Sequence, residues 1–305
     1  MINKKNGLLL VFITAIISGF SIFINSFAVK GFDSSVFTFS KNIVVALLLF
    51  SVLLFFGQLQ ELKKLSAKQW GQLALIGLIG GSIPFLLFFK GLQLTTGQTS
   101  AFIHKTFFIY VTVFAVIFLK EKLTYKHLIG ASILLAGNFL LILPDFNFSR
   151  GHLLIFSATI FWAAENALAK QALKELSGNI VAFGRMFFGS LFILIFLAFT
   201  KKLPLITSMS QQQYLWIIIT SVFLLFYVFT YYNGLKYIEV TTATYILSLG
   251  SVITTVLTYF NGAPISIMGS VGMLLITLGI ISILWLNNLK EFIINLFKGE
   301  TNERN

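Results

Sequence analysis

Four ionisable side chains lie inside long apolar runs of this sequence: Lys41, Lys105, Glu165 and Arg185. An ionisable group at bilayer depth costs several kcal/mol, so each needs a partner or a task. Counted at about 1.5 Å rise per residue, Arg185 lies roughly 9 Å from one end of its run. Glu165, in the preceding run, falls at nearly the same depth, and the two are expected to form a structural ion pair. Lys41 lies roughly 8 Å from the opposite boundary, from where a lysine can snorkel its amine to the headgroups. Lys105 sits mid-run behind His104, with no acid near it in sequence. It would bond backbone carbonyls or Glu165, or else attract a substrate carboxylate or phosphate. Three cations against one acid leave +2 at membrane depth, which favours an anionic or zwitterionic solute.

Uncharged groups join them. Trp162 falls at bilayer depth, where the interfacial preference of tryptophan does not explain it. Glu165 is three residues on and so shares its helix face, with Asn166 next to it. Ser18 and Ser21 hold the corresponding positions in the first half, and Tyr231 and Tyr245 are placed on the opposite wall. His104 is either a proton relay, since His titrates near neutral pH, or a packed, hydrogen-bonded ring. The candidate substrate-binding set is thus Lys105, His104, Trp162, Glu165, Asn166, Ser18, Ser21, Tyr231 and Tyr245. No catalytic residue stands out. The three His are in different segments and there is no Cys, so no metal, no cofactor and no enzyme activity is expected.

The elements that position these groups are membrane spans. Hydrophobic residues make up 57% of the 305 and charged ones only 10%, against about 25% in a soluble domain. Runs near the 20 residues that a spanning helix needs number ten: Gly7–Phe27, Val36–Phe56, Trp70–Leu92, Gly97–Leu119, His127–Leu143, Gly151–Leu173, Asn179–Phe199, Tyr214–Leu235, Thr241–Phe260 and Ile267–Trp285. Trp70, Trp216 and Trp285 fall near run ends, as belt anchors do. The net charge of +12 does not indicate nucleic acid, because the charges sit in short gaps between the runs. Of the 22 Lys and Arg, three lie deep within runs, five (Lys30, Lys90, Arg150, Lys201, Lys202) fall in or near the gaps on one side, and fourteen in or near those on the other. The positive-inside rule then puts both termini in the cytoplasm. The first run has no clear small-residue cleavage site and recurs later, which argues against a signal peptide. The short N-terminus without a transit peptide favours a prokaryotic inner membrane. The tail, 287–305, is either an interfacial amphipathic helix or an extension of the last span.

The chain repeats itself. Gly7-Leu-Leu-Leu aligns with Gly151-His-Leu-Leu, Phe39 with Phe183, Lys41 with Arg185, Lys90-Gly-Leu with Asn233-Gly-Leu, and Gly130 and Gly137 with Gly272 and Gly279. Five helices per half is odd, so the second copy enters the membrane from the opposite side, an arrangement that sets a substrate site near the midplane between halves. Each Gly pair is seven apart, on one helix face, and suits close helix packing or a dimer contact. Gly80-Gly81-Ser82-Ile83-Pro84 interrupts the third run. A kink there would border a cavity or hinge, or would only aid packing.

Several of these stretches form an ordered, duplicated set: Phe88-Phe89-Lys90-Gly91-Leu92, Thr99-Ser100-Ala101, Phe118-Leu119-Lys120-Glu121-Lys122-Leu123, Gly130-Ala131 and Ala136-Gly137, then Tyr232-Asn233-Gly234-Leu235, Thr242-Ala243-Thr244, Gly272 and Gly279. The set resembles the EamA type of the drug/metabolite transporter superfamily, from about Gly7 to Leu286. There are departures: Lys120 replaces a common Gly, the second copy of the acidic loop reads Phe260-Asn261-Gly262-Ala263-Pro264, and the usual Pro of the fourth and ninth helices is missing near Phe108 and Ser251. The resemblance implies an all-α membrane protein of ten helices, with a cytoplasmic N-terminus (1–6), repeats at 7–143 and 151–286, and a cytoplasmic tail. It also implies export of a metabolite such as an amino acid or organic anion. Alternating access between the halves is the expected mechanism. The alternatives are a membrane-embedded enzyme acting on lipid-linked substrates and a non-transporting scaffold. The expected partners are a small-molecule substrate and the lipid bilayer, with proton coupling and a homodimer left open.

Overall fold

A computed structural model describes residues 4–142 and 149–283. Leu143, Trp285 and the tail at 287–305 lie outside the described residues. All the regular structure among them is helical. Eight helices are long and apolar enough to cross a membrane: α1 (Lys4–Ala28), α2 (Ser34–Phe55), α3 (Ala67–Gln93), α4 (Gly97–Leu119), α6 (Arg150–Ala172), α7 (Gly178–Phe199), α8 (Gln211–Leu235) and α9 (Val240–Phe260). Two shorter apolar helices, α5 (Tyr125–Ile142) and α10 (Ile267–Ile283), complete the ten positions read from the sequence.

Local chemistry sets the ends. Asp33 caps α2 by accepting from the amides of Ser35 and Val36, Ser66 and Gln69 form a capping box at α3, and Ser210 and Gln213 form one at α8. Gly57, at φ +67°, turns the chain after α2.

The packing follows the repeat. α1 lies on α8 and α9, and α6, its counterpart, lies on α3 and α4. α2 packs on its own counterpart α7, and α4 on α9. The glycines explain the close crossings. A Cβ on Gly7 would stand 3.1 Å from the Gly234 carbonyl, and one on Gly151 would stand 3.1 Å from that of Gly91. These are the same crossing in two copies. A Cβ on Gly137 would meet the Gly272 carbonyl at 2.8 Å, and one on Gly130 would run into Ile283. The glycine faces of α5 and α10 therefore pack on each other within the chain.

α4 and α9 each break, at Thr106 and Ser248. These positions correspond in the repeat, and the breaks form without a proline. α3 opens into a π-helical segment, Gly77–Ser82, just before Pro84. α8, its counterpart, runs unbroken.

Candidate functional site

The break in α3 organises the centre of the molecule. Pro84 has no N–H to offer the carbonyl four residues back, that of Gly80. In an apolar surrounding a freed carbonyl must find another donor. Trp162 Nε1 donates to it at 2.9 Å and Arg185 Nη2 at 3.0 Å. The next carbonyl, of Gly81, accepts from Asn42 Nδ2 at 2.9 Å. Glycine is needed here, because a Cβ on Gly80 would collide with the side chain of Glu165 and one on Gly81 with the backbone of Arg185.

Trp162 and Arg185 line a cavity of about 70 Å3 between the two halves. Asn25, Lys41, Phe85 and Phe89 border it towards the ends of α1 and α3. Asn166, Arg185, Tyr227 and Tyr231 border it towards the side of the chain's N-terminus. Ser18, Ser21, His104, Phe107 and Trp162 lie between. Lys41 and Arg185 each stand seven residues into their helices, α2 from Ser34 and α7 from Gly178, about 10 Å from opposite ends.

The two cations are held differently. Lys41 is 1% exposed. Its Nζ donates to Asn25 Oδ1 at 3.0 Å and lies 3.9 Å from the centre of the Phe89 ring and 5.1 Å from that of Phe37. Such faces attract a desolvated ammonium but carry no countercharge. The expected snorkelling is thus corrected: α2 turns Lys41 inward, onto α1 and α3. Arg185 shares its surroundings with Glu165. They do not make the direct ion pair expected from the sequence, because Tyr232 mediates. Its hydroxyl donates to Glu165 Oε1 at 2.5 Å, and the guanidinium lies 5.7 Å from the centre of its ring. Asn166 Oδ1 accepts a hydrogen bond from Tyr231.

Of the nine substrate-binding candidates, Ser18, Ser21, His104, Trp162, Asn166 and Tyr231 line the cavity. Three stand behind it. Lys105 finds neither Glu165 nor a backbone carbonyl as partner; its Nζ donates to Ser18 Oγ at 2.6 Å, against Gly250 of α9. Glu165 is buried behind Tyr232 and Asn166. Tyr245 packs on Phe108 and bonds Thr112 at 3.2 Å, away from the cavity. Sequence reasoning missed Asn25, Lys41, Arg185 and Tyr227 as lining residues. The available signal was the repeat: a position that is cationic in both copies, 41 and 185, faces the shared interior.

His104 stacks on Phe107 and meets Trp162 edge-on at 4.8 Å. Its Nδ1 and the Nε of Arg185 are buried without a hydrogen-bond partner. Among the described residues no group of three His, Cys, Asp or Glu stands close enough to hold a metal.

On the side of the N-terminus one tie crosses the halves and another lies within the second half. Glu121, at the end of α4, accepts from the amides of Val240 and Thr241 at 2.9 and 3.3 Å and from the Thr241 hydroxyl at 2.8 Å. Lys170 Nζ donates to the carbonyls of Leu235 and Ile238 at 2.7 and 2.6 Å. The opposite side carries lighter ties. Gln93 donates to the Val29 and Phe32 carbonyls, and Lys202 pairs with Asp33 at 2.7 Å.

The sequence matches the EamA-like transporter family over residues 5–143 and again over 149–285. It is 24% identical over 218 residues to "Uncharacterized transporter YyaM" of Bacillus subtilis (strain 168), covering 69% of this chain and 70% of that one. Over 109 residues it is 29% identical to "Uncharacterized transporter in cobO 3'region" of Sinorhizobium sp, 36% of this chain and 77% of that protein. A solved crystal structure of a protein superposes with a TM-score of 0.74 at 15% identity, over 92% of this chain and 96% of that one. That likeness shows the fold.

Proposed function

The chain belongs to the EamA-like transporter family and is a multi-pass membrane transporter; from that premise we propose that it carries a small organic anion or zwitterion, such as an amino acid, outward by alternating access. The observation that carries this reading is Lys41, a buried ammonium on the cavity wall with an amide oxygen and ring faces about it but, among the described residues, no acid. A buried charge without a countercharge is costly. A bound carboxylate supplies one, and the charge-assisted hydrogen bond it forms is about twice as strong as a neutral one. Phe85, Phe88, Phe107 and Trp162 offer apolar faces to the rest of the solute.

The two halves would rock about this cavity, releasing the Glu121 tie on one side or the Lys202–Asp33 pair on the other. Driving energy comes from the solute's own gradient or from proton exchange, with His104 as the titratable group on the wall. The Lys and Arg bias supports a cytoplasmic position for both termini. Counterflow in proteoliposomes, with labelled amino acids and small organic acids, tests the reading. Uptake of anionic or zwitterionic solutes, competed by other carboxylates, supports it. Uptake confined to cationic or neutral solutes overturns it.

A further inference from the structure

A second and larger opening lies on the other face of α3, away from the transport cavity. Phe85, Phe88 and Phe89 line the cavity, whereas Ile83, Leu86, Leu87 and Lys90 line a cleft of about 930 Å3 between the ends of α2, α3, α6 and α7. That volume falls within the roughly 300–1,000 Å3 range of pockets that bury a drug-sized molecule. Its wall is apolar, completed by Leu154 and by Phe196, which is 39% exposed on the lipid-facing surface. Among the described residues its rim is charged: Lys90, Arg150 and Lys202 against Asp33 leave +2. Lys202 is committed to Asp33 at 2.7 Å. Lys90 and Arg150 are exposed at the mouth, and Lys90 donates to Gln93 at 3.4 Å.

We propose that this cleft binds one anionic glycerophospholipid of the surrounding leaflet, its phosphate held by Lys90 and Arg150 and an acyl chain lying along Leu86, Leu87 and Phe196. The two parts of the cleft match the two parts of that molecule. The rim stands at the level of the helix ends, where headgroups sit, and the wall continues the surface that meets lipid tails. A cation pair that meets a phosphate forms charge-assisted hydrogen bonds with it. A free anion would use the rim but leave the wall unoccupied. The bound lipid would brace α3 just past its break at Pro84, opposite the rings that line the transport cavity.

Native mass spectrometry of the purified full chain tests this, with phosphatidylglycerol, phosphatidylethanolamine and free glycerol 3-phosphate as probes. The variants are the double Lys90→Gln/Arg150→Gln and, as a control of equal charge change, Lys63→Gln/Lys64→Gln at exposed positions on the other side. All four positions are exposed, so both variants should fold, which circular dichroism checks. The expected result is one phosphatidylglycerol retained in preference to phosphatidylethanolamine. Its binding should weaken about tenfold or more in the first variant, the loss of two headgroup cations at about 1 kcal/mol each, and stay unchanged in the second. Equal loss in both variants, no loss in the first, or equal binding of glycerol 3-phosphate would overturn it.

Discussion

Position 41 of the first half and position 185 of the second occupy the same place in the repeat, yet they do different work. Arg185 is built in. It ties down the carbonyl freed by Pro84 and shares Tyr232 with the buried acid Glu165. Lys41 has only Asn25 and ring faces. The repeat equivalent of Glu165 is Ser21, so the first half never acquires the acid. The repeat sets two cations around one cavity, one tied into the frame and the other with a charge that a solute could neutralise.

The comparison breaks most sharply at Arg185. Arg185→Met strands Glu165 in the interior and should cost about 3 kcal/mol or more, since removing one partner of a buried charge set leaves the other uncompensated. Thermal unfolding in detergent reads this, and Glu165→Gln added to Arg185→Met should recover most of the loss. A single variant as stable as wild type would dissolve the distinction between the two cations. Lys41→Met should behave in the opposite way. Stability should stay level or rise by up to about 1 kcal/mol, while solute binding, read by calorimetry, weakens at least tenfold, about 1.4 kcal/mol.

Smaller changes sharpen the account. Trp162→Phe keeps the ring but removes one of the two donors to the Gly80 carbonyl. About 1 kcal/mol of stability should go with it, against almost none for the same change at Trp70, which packs on Phe188. The least effect is expected at the rim, at Asp33. Burial pushes its carboxyl up, but the hydrogen bond from Lys202 and the amides of Ser35 and Val36 outweigh this and hold it below its usual range. A carboxylate lowered in the folded state adds stability above its unfolded value, about 3.9, and loses it as pH falls through the folded one. Asp33→Asn should therefore cost less than about 1 kcal/mol near neutral pH, and the gap to wild type should close below about pH 4. Melting temperatures across that range check the sign.

Much of this frame could be read from the sequence. Apolar runs and the paired glycines gave ten helices in two copies, because span length and close helix approach depend on residue type alone. The Pro84 break was also legible, since a missing N–H is a local fact. Its consequence was not: which donors reach the freed Gly80 carbonyl depends on how α6 and α7 cross α3. Lys41 was misplaced for a related reason. Distance along a helix gives depth but not the direction in which a side chain leaves, and that is set by packing on α1 and α3. Tyr232 was passed over because a tyrosine in an apolar run shows no mark of the acid beside it. Lys105 and Tyr245 share depth with the cavity but stand one layer behind it.

In the proposed function the charge on Lys41 selects the solute. The direct measurement is counterflow in proteoliposomes of a carboxylate-bearing solute against its neutral amide, for wild type and Lys41→Met. The account predicts a strong preference for the carboxylate in wild type that falls at least tenfold in the variant, with the amide still carried. An unchanged preference in Lys41→Met would contradict it.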